Sequence, residues 1–188
     1  MQPIALLMDE HRTIEKVLDA LEAFAAGPAA AAPGARAETA DFARFLADFA
    51  DRIHHGKEED LLFRAMAEAG MPKEAGPIAV MLSEHREGRS WTGVLARVAG
   101  GTDALGDDEA RDVRQAARAY VPLLRAHIQK EDQILYPMAD RFLAEGTWRS
   151  LEAAFEAFQA GHAAEDRELR ALADDLTRRH PRRPSGRA

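Results

Sequence analysis

The sequence predicts an all-α protein: an antiparallel four-helix bundle with an additional C-terminal helix. Three observations predict it. Apolar residues recur at threes and fours in five separate stretches, the period of one helix face. Breaks containing glycine and proline separate most of those stretches. The first four stretches also form two copies of one unit, a helix with one inward histidine followed by a helix carrying His-x-x-x-Glu.

The totals bound the problem. The chain has 188 residues, 46% of them hydrophobic, enough for one domain with a sizeable core. Residues 1–177 are expected to form that single domain. No run of about 18 apolar residues occurs, so no membrane span is expected. The start, Met1-Gln2-Pro3-Ile4, lacks the basic region of a secretion signal, and a cytoplasmic location is the expectation. There is no cysteine, which excludes disulfides, thiolate metal sites and cysteine nucleophiles. Any metal must take nitrogen and oxygen ligands. The net charge is −7, and five arginines (Arg178, Arg179, Arg182, Arg183, Arg187) lie after Thr177 without an acid. The acidic body argues against nucleic acid as a partner. Residues 178–188 read as a basic, disordered tail.

The first helix is expected over residues 3–26, with Ile4, Leu7, His11, Ile14, Leu18, Leu21 and Ala25 on one face. An Ala/Pro/Gly linker follows to residue 37. The second helix covers residues 38–69, with Phe42, Leu46, Phe49 and Ile53 apolar and His54 at the edge of that face. At 100° per residue, His54 and Glu58 then face the bundle interior, while His55 and Glu59 face water or a surrounding layer. Gly56 inside this helix costs about 1 kcal/mol relative to alanine and hints at crowding or a local distortion. The third helix runs over residues 77–99, with Pro77 in its first turn and Ile78, Met81, Leu82, His85, Thr92 and Ala96 inward. The fourth runs from about residue 109 to 136. Ala116, Tyr120, Leu123, Leu124, His127, Glu131, Ile134 and Met138 share a stripe, and Pro122 should kink it. Pro137 ends this helix or restarts a short one through Phe142. A fifth helix over residues 147–176 points Leu151, Phe155, Phe158, His162, Leu169 and Leu176 to one side.

The duplication carries the chemistry. His54-His55-Gly56-Lys57-Glu58-Glu59-Asp60-Leu61-Leu62-Phe63 aligns without a gap on His127-Ile128-Gln129-Lys130-Glu131-Asp132-Gln133-Ile134-Leu135-Tyr136. Glu10-His11-Arg12 precedes the first stretch and Glu84-His85-Arg86 the second. On a helix, His and Glu four residues apart leave one face about 6 Å apart along the axis. An imidazole nitrogen and a carboxylate oxygen at that spacing can converge on one ion. A carboxylate such as Glu131 within an apolar stripe is seldom placed there for stability. His11, His54, His85 and His127 with Glu58 and Glu131 therefore form the candidate ligand set. Two carboxylates, one from each half, can bridge two ions and leave room for an oxide or hydroxide bridge and an outside ligand. His162 is a further candidate, either a fifth ligand or a core histidine. Glu15, four residues after His11, reads as an extra ligand, an acceptor for one, or a solvated edge residue. Imidazole plus carboxylate suits Fe, Mn, Zn or Co.

These residues, His11, His54-x-x-x-Glu58, His85 and His127-x-x-x-Glu131, resemble the hemerythrin-like (HHE cation-binding) family over roughly residues 4–143. The motif His-x-x-x-Glu-(Glu/Asp)-x-x-Leu-(Phe/Tyr) is shared with it. The resemblance implies a four-helix bundle around two Fe ions, with an oxo or hydroxo bridge and manganese or zinc ranked behind iron. It implies terminal imidazoles from His11, His54, His85 and His127 and bridging carboxylates from Glu58 and Glu131. Arg89 stands where the family's oxygen carriers place a second histidine on the third helix. The partner expected is a small diatomic ligand (O2 or NO) or peroxide, bound in sensing, storage or detoxification by a monomer or homodimer. A catalase-like, peroxide-decomposing enzyme is the alternative, and a structural or zinc-holding bundle the third reading.

Overall fold

The computed structural model describes residues 2–27, 30, 32–101 and 104–182. Among these residues there are helices and no strand. Helix α1 spans Pro3–Ala26. The second rod begins as α2 (Ala35–Arg44), widens into π-helix over Phe45–His55 and again over Glu58–Leu62, and ends as α3 (Phe63–Glu68). Helix α4 spans Gly76–Ala99 and α5 Asp107–Lys130. A third π-helical stretch, Glu131–Leu135, carries α5 into α6 (Tyr136–Phe142). Helix α7 spans Glu145–Arg179.

The rods end where backbone chemistry ends them. Gly70 takes φ 106°, a left-handed conformation, and the next amide closes back on Met66. Proline stands in the first turn of α1 and α4, where no amide donor is lost, and Pro137 stands where the π-helical stretch passes into α6. Pro122 lies inside α5, and the helix continues through it to Lys130. Helix α7 runs two residues past the expected domain end. Arg179 pairs there with Asp41 and Asp175. His180 and Arg182 of the expected basic tail pair with Glu38 and Asp19, and its residues 183–188 lie outside the described residues.

Two apolar clusters fill the bundle, one on each side of a polar layer. The larger contains Ile14, Leu18, Phe24, Phe42, Phe49, Ile53, Leu95, Leu124 and Ile128. The smaller contains Leu7, Leu62, Phe63, Met66, Ile78, Met81, Leu135 and Tyr136. Each rod crosses from one cluster to the other through a histidine: Leu7–His11–Ile14 on α1, Met81–His85–Leu95 on α4, Ile53–His54–Leu62 on the second rod. Burial of a large apolar side chain contributes about 1.5–3 kcal/mol, so the two clusters can sustain an expensive layer between them. Helix α7 packs along α1 and the first π-helical stretch. It contributes Phe155 to one cluster and Leu169 and Leu176 to the other. No helix among the described residues is long and apolar enough to cross a membrane.

Candidate metal centre

The polar layer contains His11, His54, His55, Glu58, His85, His127 and Glu131, each at most 4% exposed. Their donor atoms form two groups. In one, His55, Glu58, His85 and His127 offer atoms within 4.8 Å of one another; in the other, His11, His54, Glu58 and Glu131 do the same. Glu58 belongs to both. The six residues expected to converge are thus brought together, and a seventh joins them.

That seventh is His55, and it corrects the sequence reading. His55 was expected to face water or a surrounding layer; it is 4% exposed and stacks on His85 with ring centroids 3.8 Å apart. The physical reason is the π-helix. An α-helical register separates adjacent side chains by 100°, which admits only one of the pair to the interior. Hydrogen bonds from residue i to i+5 widen the turn, and the amide of Gly56 closes on the carbonyls of Asp51, five residues back, and Ile53, three back. Both imidazoles then enter the layer. The distortion hinted at by Gly56 is this widening, not crowding, since a Cβ there would meet Phe158 at an ordinary 3.7 Å.

Each of the five imidazoles is held from behind by a carboxylate on Nδ1. His11 bonds Asp132 at 2.7 Å, His54 bonds Glu10 at 3.0 Å, His55 bonds Asp51 at 3.2 Å, His85 bonds Glu59 at 2.7 Å and His127 bonds Glu84 at 2.9 Å. A carboxylate on Nδ1–H fixes the tautomer and turns the Nε2 lone pair toward the centre. The carboxylates are held in turn. Lys57 binds Glu10, Lys130 binds Glu84, Arg12 binds Asp132, and Arg89 binds both Asp51 and Glu59. The duplication is visible here: Glu10–Lys57–His54 repeats as Glu84–Lys130–His127, and Asp132–His11 repeats as Glu59–His85. These supporting residues were missed in the sequence. The signal was present in the Glu preceding His11 and His85, in the aligned Lys57 and Lys130, and in the aligned Glu59 and Asp132.

Without a cation the layer settles its charge by redistributing protons. Burial, with Glu131 beside it, pushes the Glu58 carboxyl well above its ordinary range. Burial also opposes ionisation of Glu131, but His127 and His11 outweigh it and hold that carboxyl well below its ordinary range. Burial and the neighbouring His11 push His54 well down, and burial with His85 pushes His55 down to about 3. For His127, burial is outweighed by Glu131 and Glu84, and its pKa rises to about 9. His54 Nε2 and Glu58 Oε2 are buried without a hydrogen-bond partner, and the two oxygens of Glu131 have only the ring nitrogens of His127 and His11, at 3.2 and 3.3 Å and poorly aligned. Leaving such atoms unsatisfied costs about 1–3 kcal/mol each, more when charged. His85 Nε2 and His127 Nε2 face each other at 3.0 Å; without a cation the contact needs a proton between them, which the raised pKa of His127 supplies, whereas with a cation both lone pairs can turn to it. Ligands about 2.1 Å from one ion at right angles stand about 3 Å apart, so this spacing suits cations at the centre. The residues present therefore fit a pair of metal ions.

Tyr136 also reaches the layer. Its hydroxyl donates to Glu58 Oε1 at 2.7 Å and lies 3.3 Å from His11 Nε2. The tyrosine also lines a surface depression with Met8, Asp132 and Pro137.

Two other candidates lie apart from the groups. His162, on α7, stacks on Phe158 and bonds the carbonyl of that same residue at 2.9 Å; it belongs to neither group. Glu15 is 38% exposed and pairs with Arg12 at 3.0 Å, a solvated edge position.

A family model for the hemerythrin HHE cation binding domain matches residues 2–139. No curated protein and no solved structure matches the chain.

Proposed function

The chain belongs to the hemerythrin HHE cation-binding family, and from that membership together with its geometry we propose that it holds two iron ions and binds O2, NO or peroxide beside them. The observation that supports this reading most is the sharing of Glu58 between two buried donor groups, with Glu58 Oε2 and His54 Nε2 left without a hydrogen bond. His55, His85 and His127 would hold one ion and His11 and His54 the other, with Glu58 and Glu131 between them. Five imidazoles against two carboxylates make a site poor in anionic ligands. Such a site disfavours high-valent oxidation and favours taking up a small ligand. Bound iron would supply the redox-active Lewis acid to which that ligand attaches.

The chain's own residues do the rest. The five Nδ1–carboxylate bonds orient the rings, so the donor positions are set before a cation arrives. The two apolar clusters exclude water from both ends of the layer, which strengthens every charge interaction within it. Arg89 helps hold Asp51 and Glu59 ionised at the edge of the site, and Arg12 pairs with Asp132.

Metal analysis of the full chain, purified from cells grown with adequate iron, tests the reading together with its ultraviolet–visible spectrum. Two irons per chain and a near-ultraviolet band of a bridged ferric pair are expected. A single zinc, or no metal, would overturn it. Oxygen release on adding peroxide would move the function to the catalase-like alternative.

A further inference from the structure

The two halves of the layer differ in a complementary way. In the half around His85 and His127, the duplicated stretch supplies a third imidazole, His55, and the aromatic stacked on His85 is Phe63, at 6.0 Å and 19°. In the half around His11 and His54, the position equivalent to His55 is Ile128, which belongs to the apolar cluster. The aromatic stacked on His11 is Tyr136, at 5.5 Å and 10°. The half that lacks the third imidazole is therefore the half that gains a hydroxyl.

That hydroxyl stands where a ligand would stand. It is 3.3 Å from His11 Nε2, the nitrogen left facing inward once Asp132 holds Nδ1, and 2.7 Å from Glu58 Oε1. Both distances are close to the roughly 3 Å between neighbouring ligands of one ion. Tyr136 is 1% exposed and also lines a surface depression with Met8 and Pro137. In the metal-free chain the phenol can donate to Glu58 and accept from His11 Nε2–H; once a cation takes the His11 lone pair, that donor is gone and the phenol oxygen is left within reach of the same cation.

We propose that Tyr136 Oη is the third terminal ligand of the ion held by His11 and His54, closing the position that an outside molecule would otherwise take. This rests on the two-iron reading above. Binding exchanges the phenol proton for the cation, as for other protein ligands, and a cation pair reverses the local preference for the neutral form. O2, NO or peroxide would then enter by displacing Tyr136, a gated site rather than an open one.

The ferric full chain provides the test, because a phenolate on ferric iron has its own visible charge-transfer band and enhanced tyrosine ring vibrations in resonance Raman spectra. The chain has two tyrosines. The other, Tyr120, is buried in the larger apolar cluster, so Tyr120→Phe is the control. The expected result is a phenolate band in the wild type and in Tyr120→Phe, lost in Tyr136→Phe while both irons stay. Azide added to the wild type should bleach the phenolate band as it binds. A wild type that holds two irons without any phenolate signature would overturn the proposal and leave Tyr136 as a hydrogen-bond donor to Glu58. Azide uptake with the phenolate band intact would overturn the gating. A wild type without iron would instead overturn the reading beneath, and the wild-type spectrum decides even where Tyr136→Phe folds poorly.

Discussion

The two halves of the polar layer descend from one sequence unit and differ in how they are finished. Around His85 and His127, three imidazoles converge and Phe63 lies against them. Around His11 and His54, two imidazoles converge and Tyr136 lies against them. Their supports differ as well. The Glu10–Lys57 pair behind His54 is fully buried under α7, where Lys57 also reaches Gln159 at 3.3 Å. Its counterpart behind His127, Glu84–Lys130, is 18% and 36% exposed. A repeated unit therefore specifies the ligand frame, while a fifth helix and two side-chain changes specify the environment. One half is richer in nitrogen and closer to solvent; the other is drier, with an oxygen in reach.

The largest effect should come from what the halves share. Glu58→Ala is expected to remove both ions, seen as metal content near zero, because each donor group loses its common carboxylate. Retention of two metals would show that the halves are independent. Next, His55→Ala should empty the three-imidazole half and lower the metal content by about half, with His162→Ala leaving it full. The reverse pattern would return the fifth imidazole to α7.

The buried and exposed supports should part in stability. Removing one partner of a buried pair costs about 3–5 kcal/mol, whereas an exposed pair contributes about 0–1 kcal/mol. Glu10→Gln should therefore lower the denaturation midpoint of the metal-free chain far more than Glu84→Gln. Equal shifts would erase the asymmetry attributed to α7. In the loaded protein both changes should weaken metal binding by roughly 10–100-fold, the usual cost of losing the group behind a ligating imidazole.

The smallest effect is one of pH. His55 titrates near 6.5 when unfolded but is pushed down to about 3 when folded, by burial and by His85. Between those values the unfolded chain binds the extra proton, so stability falls as pH falls from 6.5 toward 3. The metal-free wild type should lose on the order of 1–2 kcal/mol relative to His55→Phe between pH 7 and pH 5, measured by urea denaturation at each pH. Parallel curves would mean that His55 is not held neutral in the layer.

Much of this was legible in the chain. The period of threes and fours located the rods within a few residues. The gap-free alignment of residues 54–63 with 127–136, with an upstream Glu-His-Arg in each half, pointed to six of the seven inward donors. His55 was not legible, because the reading projected residues at 100° on an ideal α-helix and the π-helical turn at Phe45–His55 breaks that projection. His162 shows the opposite failure. Its face of α7 is inward, yet its ring turns to the Phe158 carbonyl on its own helix.

The sequence by itself determined the helical class, the duplication and the residue types able to meet a cation, because these follow from periodicity and from spacing along one chain. Only the tertiary structure decided which imidazoles share a centre, which carboxylate stands behind each, and that Tyr136 reaches His11. Apart from His55–Asp51, four positions apart, those pairings join residues from 26 to 125 positions apart, set by how rods pack and by a widened helical turn, neither of which a local pattern encodes.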